Sequence, residues 1–362
     1  MEKPKIKPNN PNFSSGPCAK RPGWKIENLI NANTGRSHRS GEAKSKLKLV
    51  IDKSKELLEL PNEYVVGIMP GSDTGALEAS LWSLLGLRGV DILAWENFGK
   101  DWIQDVLKQL KLSNLNVHDV NYGDFPDVTK INFNNDVIFT WNGTTSGVKV
   151  PNADWIPDNR EGLTICDATS AIFAMPIDYS KCDVLTWSWQ KVLGGEAAHG
   201  MIALSPKALK RLEGYLPNWP IPKIFRMANN KKVIKGIFEG STINTPSMIC
   251  VEDALDGLNW AEENGGLEFL INTSKKSFDI IYNWIQNNNW VTFLSKNKNK
   301  DYLSNTGITF KICEDWFVSK NEEDQRSIVK QICKTLSDEN VAHDINGYAK
   351  APPSFRVWAG GT

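Results

Sequence analysis

Lys191 stands just past an apolar run, in Thr186-Trp187-Ser188-Trp189-Gln190-Lys191-Val192-Leu193-Gly194-Gly195. A lysine at a strand end can project into a cleft, and small glycines follow it. The two nearby tryptophans would help to exclude water and lower the pKa of the amine, as a Schiff-base lysine requires. Taken alone, the segment reads as readily as a solvated surface lysine in a loop, because most lysines of a chain must be solvated.

Asp167 closes a second apolar run, Leu163-Thr164-Ile165-Cys166-Asp167. Sheets of alternating strands and helices bind ligands at the carboxyl ends of their strands. A carboxylate there could sit opposite a pyridine nitrogen and keep it protonated, as pyridoxal chemistry needs. A helix or turn cap would look the same. Pro70-Gly71-Ser72-Asp73-Thr74-Gly75-Ala76 follows a third run and opens a helix. Free backbone N–H groups at such a start favour a phosphate, although capping by Asp73 or Thr74 is the plain alternative. The motif is neither GxGxxG nor a P-loop, so nucleotide binding is not supported. Trp102 follows the next strand, where an indole could stack on a flat cofactor or simply fill the core.

Two basic features remain. Gly35-Arg36-Ser37-His38-Arg39-Ser40-Gly41 groups two arginines and a histidine in a turn. Guanidinium forks match carboxylate and phosphate, and a solvated basic turn is the other reading. Arg356 lies inside the apolar strand Phe355-Arg356-Val357-Trp358, so it needs a buried anionic partner, either a structural carboxylate or that of a substrate.

The elements that must position these residues follow from hydrophobic period. The segment before about residue 45 reads as irregular. Residues 44–60 have helical period and stop at Pro61. Strand-like runs then cover 65–69, 90–95, 115–120, 137–141, 163–166, 184–187 and 201–204. Helical or loop segments separate several of them, which predicts a mainly parallel sheet covered on both faces. Beyond about residue 250 comes a long helical stretch, 251–287, interrupted at Gly265-Gly266. Strands at 290–294 and 308–312, a helix near 322–336 and a last strand at 355–359 complete a smaller α+β unit. The expected division is an N-terminal segment (1–45), a large domain (46–255) and a small C-terminal domain (256–362).

Composition narrows the class. With 362 residues and 41% hydrophobic content the chain can bury a sizeable core. Its 42 basic residues balance 42 acidic ones, so there is no footprint for nucleic acid or an anionic membrane. No apolar run approaches the roughly 18 residues that span a bilayer, and Met1–Asn12 carries no apolar signal region. The six cysteines are scattered with no CxxC pair, which argues against a zinc knuckle or redox motif. Most are expected to be buried thiols in a reducing cytoplasm, and no metal site is expected. Cys313 and Cys333, in apolar periodic surroundings, read as core.

Order and spacing together resemble the phosphoserine aminotransferase family, in the class V branch of the aspartate-aminotransferase-like, fold-type I pyridoxal enzymes. The resemblance runs from Asn12-Phe13-Ser14-Ser15-Gly16-Pro17 almost to the C-terminus. It rests on that opening motif, Ser37-His38-Arg39, Asn142-Gly143-Thr144, Gln190-Lys191 and Asn244-Thr245-Pro246. It implies an α/β fold whose large domain has a mostly parallel seven-stranded sheet, with a smaller C-terminal α+β domain. It implies pyridoxal 5'-phosphate as cofactor and a homodimer with shared active sites. Lys191 would hold the cofactor covalently and shuttle the proton between Cα and C4′. Asp167 would pair with the ring nitrogen, Trp102 stack on the ring, and Thr144 bond its hydroxyl side. Asp73, Thr74 and Gln190 would hold the phosphate, with Asn244 and Thr245 reaching it from the neighbouring subunit. His38 and Arg39 would contact the substrate side chain, and Arg356 its α-carboxylate.

The chain departs from the better-known branch of that family in two places. Asp73-Thr74 stands where that branch has a glycine-rich loop with an arginine. Asn346-Gly347-Tyr348-Ala349-Lys350 lacks a His-Arg pair found shortly before the final arginine. Arg36, with Lys350, is the candidate replacement for the missing phosphate grip. The reaction implied is reversible transamination of phosphoserine with 2-oxoglutarate to 3-phosphohydroxypyruvate and glutamate, in serine biosynthesis. A phosphorylated hydroxythreonine of vitamin B6 synthesis is a further candidate substrate. The rivals are another class V enzyme, such as a small-substrate aminotransferase or a cysteine desulfurase, and a non-catalytic pyridoxal-binding module.

Overall fold

A computed structural model describes residues 5–362. The first four residues of the expected N-terminal segment lie outside the described residues. From residue 5 to Ser40 that segment is irregular apart from a 3-10 turn at Ile26–Leu29, and its last residues already belong to a helix. Helix α1 (Gly41–Leu57) starts where the Ser40 side chain accepts from the Ala43 N–H at 3.3 Å. Ala43, Leu47, Val50, Ile51 and Ser54 form its buried stripe, the 3.6-residue period that the sequence displays. Capping thus begins the helix earlier than the apolar period alone suggests.

Strand β1 (Val65–Pro70) leads into α2 (Ser72–Leu84), β2 (Val90–Ala94), α3 (Asn97–Gln104), β3 (Leu115–Asp119) and β4 (Asp136–Thr140). A two-residue hairpin, β5 (Asn142–Gly143) and β6 (Val148–Lys149), precedes β7 (Thr164–Asp167), β8 (Val184–Ser188) and β9 (His199–Leu204). The large sheet has seven strands in the order β1-β9-β8-β7-β4-β2-β3. β9 runs antiparallel to both of its neighbours, and the remaining pairs are parallel. Six strands therefore share one direction. β4, β7, β8 and β9 are buried throughout, as expected of strands covered on both faces. The core divides accordingly. One cluster lies toward α1 and α5 (Met248–Glu263), with Leu47, Val50, Trp187 and Leu258. The other lies toward α2 and α4 (Pro206–Gly214), with Leu77, Leu81, Ile165 and Leu212.

Between α4 and α5 lies a second small hairpin, β10 (Ala228–Asn229) and β11 (Lys232–Val233). Gly265, in the left-handed region at φ 109°, breaks the long helical stretch into α5 and α6 (Gly266–Gln286). The residue 255/256 division falls within α5. The C-terminal unit is an antiparallel sheet of β12 (Val291–Phe293), β13 (Gly307–Ile312) and β14 (Phe355–Trp358). It is covered by the short α7 (Asp315–Val318) and by α8 (Glu322–Asp338). Asn321 caps α8, and Glu322, Glu323 and Asp324 fill its first turn, where the helix dipole favours acids. Its own apolar cluster includes Phe278, Ile308, Phe310, Phe317 and Phe355. No helix among the described residues is long and apolar enough to cross a membrane.

The cysteines correct the expectation of buried thiols in part. Cys18, Cys166 and Cys182 are buried, while Cys250, Cys313 and Cys333 are half-buried. Cys333 packs against the edge of the C-terminal apolar cluster, as its apolar period suggests, whereas Cys313 belongs to no core cluster. Cys313 follows β13 directly, and its thiol donates to the Asn289 carbonyl at 3.2 Å.

Candidate active site

The site forms where α2, α3, β7 and the turn after β8 converge at the carboxyl ends of the parallel strands. One cavity is lined by Ser72, Asp73, Trp102, Thr144, Asp167 and Lys191, together with Thr74 and Gln190. Eight residues from distant stretches of the chain are thus brought together, among them seven of the thirteen expected in the site.

Lys191 is delivered by a tight turn. The Gly194 N–H donates to the Lys191 carbonyl at 2.9 Å, and the Gly195 N–H to that of Trp189 at 3.0 Å. Across this turn lies the N-terminal segment, where the Cys18 N–H donates to the Gln190 carbonyl at 2.9 Å. Lys191 Nζ donates to the Ser15 carbonyl oxygen at 2.5 Å. That segment is clamped in turn to α5. Lys20 reaches Asp253 at 2.6 Å, Trp24 Nε1 donates to Asp253 at 3.1 Å, and Arg21 forms a two-pronged pair with Asp256, each bond 2.7 Å. Burial lowers the Lys191 pKa, and the Arg356 charge adds to that, while Cys18, Asp167 and Asp73 oppose it. Trp187 and Trp189 are fully buried beside the lysine. The amine is held in a dry setting that favours its neutral, nucleophilic form.

Asp167 sits between Thr140 on β4 and Thr186 on β8 in the sheet register. Trp102 Nε1 donates to its Oδ2 at 3.3 Å and the Thr169 N–H to its Oδ1 at 3.1 Å. Burial raises its pKa, against these hydrogen bonds. The Trp102 indole is therefore anchored by its N–H edge on Asp167. Phe98, one turn earlier on α3, also lines the cavity.

Gly71 takes a left-handed conformation at φ 81° and turns the chain into α2. The N–H groups of Asp73 and Thr74 lie in the first helical turn, where no helical carbonyl can accept them. Gln190 Nε2 donates to Ser72 Oγ at 3.2 Å, and Gln190 Oε1 has no partner although buried. Thr144 Oγ1 meets Ser170 Oγ at 2.5 Å, and Asn142 Nδ2 donates to the same hydroxyl at 2.8 Å. Buried Asp73 Oδ1, Thr169 Oγ1 and Thr186 Oγ1 likewise lack partners.

Unsatisfied buried polar atoms call for a ligand. A dry lysine amine, a carboxylate at a strand end and free N–H groups at a helix start fit pyridoxal phosphate. Lys191 suits its carbonyl carbon, Asp167 its ring nitrogen, and the start of α2 its phosphate. Among the described residues no group of acids, histidines and cysteines is arranged to hold a metal.

The remaining expected residues lie elsewhere. Arg36 and Arg39 are exposed and His38 half-buried, and the Arg36 guanidinium faces Glu42 at 4.0 Å. Asn244 and Thr245 are exposed in the loop before α5. Lys350 is exposed, with Asp101 at 3.9 Å. Arg356 is half-buried with its Nε unpaired, and its guanidinium lies 6.0 Å from the centre of the Tyr348 ring. Tyr348 touches Phe98, ring centres 5.8 Å apart, and Asn97 Nδ2 lies 3.5 Å from its hydroxyl. Ser15, Phe98, Tyr348 and the buried Glu96 were not singled out from sequence. Apolar period and turn motifs carry no signal for residues that join a site only through tertiary contact.

Residues 125–328 match the family described as aminotransferase class-V. The chain is 54% identical over 360 residues to a phosphoserine aminotransferase of Methanosarcina barkeri, covering 99% of this chain and 94% of that protein. It is equally similar to a phosphoserine aminotransferase of Methanosarcina mazei, with the same coverage. Among solved structures, a phosphoserine aminotransferase from Cytophaga hutchinsonii superposes with a TM-score of 0.80 at 18% identity, over 98% of this chain and 94% of that one. An alanine–glyoxylate aminotransferase from Nostoc shares the fold at a TM-score of 0.76 and 16% identity, over 100% and 92%.

Proposed function

Because this chain belongs to the aminotransferase class-V family, we propose that it is a pyridoxal phosphate-dependent phosphoserine aminotransferase. It moves the amino group of O-phospho-L-serine to 2-oxoglutarate, reversibly, in serine biosynthesis. The observation that carries this reading is the cavity where Lys191 and Asp167 meet, in a chain 54% identical over 99% of its length to a phosphoserine aminotransferase.

Bound pyridoxal phosphate supplies an electron sink through its protonated ring nitrogen. Lys191 Nζ takes the proton from the substrate Cα and returns it, which suits a general base with a lowered pKa. The Ser15 carbonyl aims that amine. Asp167 provides the negative charge that keeps the ring nitrogen protonated, and Trp102 fixes its carboxylate. The first turn of α2 at Asp73 and Thr74, with Gln190, supports the cofactor phosphate, and Thr144 the ring's hydroxyl side. Arg356 takes the substrate α-carboxylate, for which its unpaired Nε is suited.

His38, Arg39, Asn244 and Thr245 act in the neighbouring subunit's site in this reading, with Arg36 and Lys350 completing the substrate-phosphate grip. Their placement outside their own chain's cavity supports a homodimer with shared sites, which light scattering would test. A cytoplasmic enzyme is the reading that goes with six free thiols.

The decisive experiment is a half-reaction with purified protein. Phosphoserine should convert the cofactor promptly to its amine form, and alanine and cysteine should not. Lys191→Ala should abolish both turnover and the absorbance of the bound cofactor. Sulfur release from cysteine, or turnover in Lys191→Ala, would overturn the reading. Phosphohydroxythreonine as a second donor tests the wider substrate range.

A further inference from the structure

Four buried polar side chains from distant parts of the chain meet at the cavity wall that Asn142 and Thr144 form. Those two come from β5 and its turn, Ser170 from the turn after β7, and Thr306 from the C-terminal unit, one residue before β13. Asn142 Nδ2 lies 2.8 Å from Ser170 Oγ and 3.2 Å from Thr306 Oγ1. Thr144 Oγ1 lies 2.5 Å from Ser170 Oγ, and among the described residues it has no other hydrogen-bond partner.

The distances set the direction of each bond. The single proton of Thr306 goes to the Ser170 carbonyl at 2.7 Å, nearer than Ser304 Oγ at 3.5 Å, and a carbonyl only accepts. Thr306 Oγ1 must then accept from Asn142, which fixes the amide with its nitrogen on this side. That nitrogen gives its second proton to Ser170 Oγ. Ser170 has two acceptors within reach of its own proton, Thr144 Oγ1 at 2.5 Å and the Asn142 carbonyl at 3.5 Å, and the shorter bond takes it. Thr144 therefore accepts from Ser170, and its own proton is left over. Because Thr144 lines the cavity with Lys191 and Asp167, the acceptor it lacks is a ligand's.

We propose that Thr306, Asn142 and Ser170 form a relay that commits the Thr144 hydroxyl to donate into the cavity. The three are positioning residues for Thr144. Hydrogen bonds in a chain polarise one another, which strengthens the last donor. Such a donor suits an oxygen that carries negative charge, as the ring oxygen of the cofactor does once it has lost its proton. Through Thr306 the C-terminal unit takes part in holding the ring. That role toward the ring rests on the function proposed above, whereas the wiring does not.

Two measurements test the two parts separately. Neutron diffraction from deuterated crystals of the cofactor-free protein should place the Ser170 deuterium on Thr144 and both Asn142 amide deuteriums on Ser170 and Thr306. The Thr144 deuterium on Ser170, or a flipped amide, overturns the relay. Equilibrium binding then compares pyridoxamine phosphate with its 3-deoxy analogue, which lacks the ring oxygen. Wild type should prefer the former by about tenfold or more, as a bond to a charged oxygen gives. In Ser170→Ala and in Thr306→Val that preference should fall by about threefold or more, while Thr306→Ser, which keeps a hydroxyl, should hold it. Structural damage alone weakens both ligands alike, so an unchanged preference in Ser170→Ala overturns the role toward the ring. Should phosphoserine fail as substrate while the deuteriums and the preference behave as stated, the proposed function falls and the relay stands.

Discussion

Gly16 and Lys191 approach so closely that a Cβ on Gly16 would stand 2.5 Å from Lys191 Nζ. Real carbon–nitrogen contacts are not made at that distance, so any side chain at position 16 must displace the amine. Gly16 itself is exposed and follows the residue whose carbonyl aims the lysine. Gly16 also holds φ 155°, a conformation that suits glycine and strains any other residue. Gly16→Ala should therefore strain the turn as well as strike the site. Displacing a reacting amine by about 1 Å costs on the order of 100-fold in rate. The variant should melt below wild type, destabilised by about the 1–3 kcal/mol that such strain costs. Its cofactor absorbance should weaken and kcat should fall by on the order of 100-fold, a loss that persists at temperatures where the variant is fully folded. Wild-type kcat in Gly16→Ala would show that the amine has freedom the geometry denies it.

What could be read from sequence in this region had a physical limit. Lys191 and Asp167 were legible because each ends an apolar run, and a strand's end is visible in its composition. The helix break at Gly265 was legible for the same local reason. The direction of β9 was not, since an apolar run reads alike both ways. It follows from the connection. The ten residues between Ser188 and His199 are too few for the crossover of a dozen or more that a parallel neighbour needs. That Asp73 and Asp167 line one cavity was likewise hidden, because it depends on strand order and not on spacing along the chain. So was Ser15, whose contribution is a backbone carbonyl that any residue type carries.

Tyr348 stands in the segment that lacks a His-Arg pair, and the structure gives it a job. Its ring packs against Phe98 and lies under the Arg356 guanidinium. A cation–π contact of this kind contributes about 0.5–2 kcal/mol. If Arg356 holds the α-carboxylate, Tyr348→Ala should raise KM for phosphoserine and for glutamate alike, by up to roughly tenfold, with kcat less affected. Tyr348→Phe should keep most of the affinity. Equal KM increases in the two variants would assign the effect to the hydroxyl near Asn97 instead.

Glu96 caps α3, accepting from the Gly99 N–H and the Thr145 hydroxyl, each at 2.8 Å. Burial pushes its carboxyl from 4.5 up to about 7, and these hydrogen bonds only partly oppose the rise. Between those values the unfolded chain has released the proton that the folded chain keeps. Stability contributed by Glu96 is therefore present below pH 4.5 and lost as pH rises through 7, by on the order of 3 kcal/mol. Glu96→Gln cannot titrate. In thermal melts of cofactor-free protein from pH 5 to 8, the variant should gain on wild type as pH rises and the gap should level off above about 7. Parallel curves would show that Glu96 is ionised throughout.

His199 shifts the other way. Burial lowers its pKa from 6.5 to about 4, and the Ser247 N–H donates to its Nε2 at 3.0 Å. That bond needs an unprotonated Nε2. Ser247 caps α5 and follows directly on the Asn244-Thr245 loop, so the imidazole ties that loop to the sheet beside Ser72 and Trp189. As pH falls below 6.5 the unfolded chain takes up a proton that folded His199 refuses. The folded state then loses stability progressively down to about pH 4, by about 3 kcal/mol. His199→Asn keeps an acceptor without titrating in this range. Its melting curve should be flatter than that of wild type between pH 4 and 6.5. The hydrogen-exchange protection factors at the start of α5, which take out the intrinsic pH dependence of exchange, should fall on acidification in wild type alone. A fall in protection of the same size in both proteins would place the acid-sensitive group elsewhere.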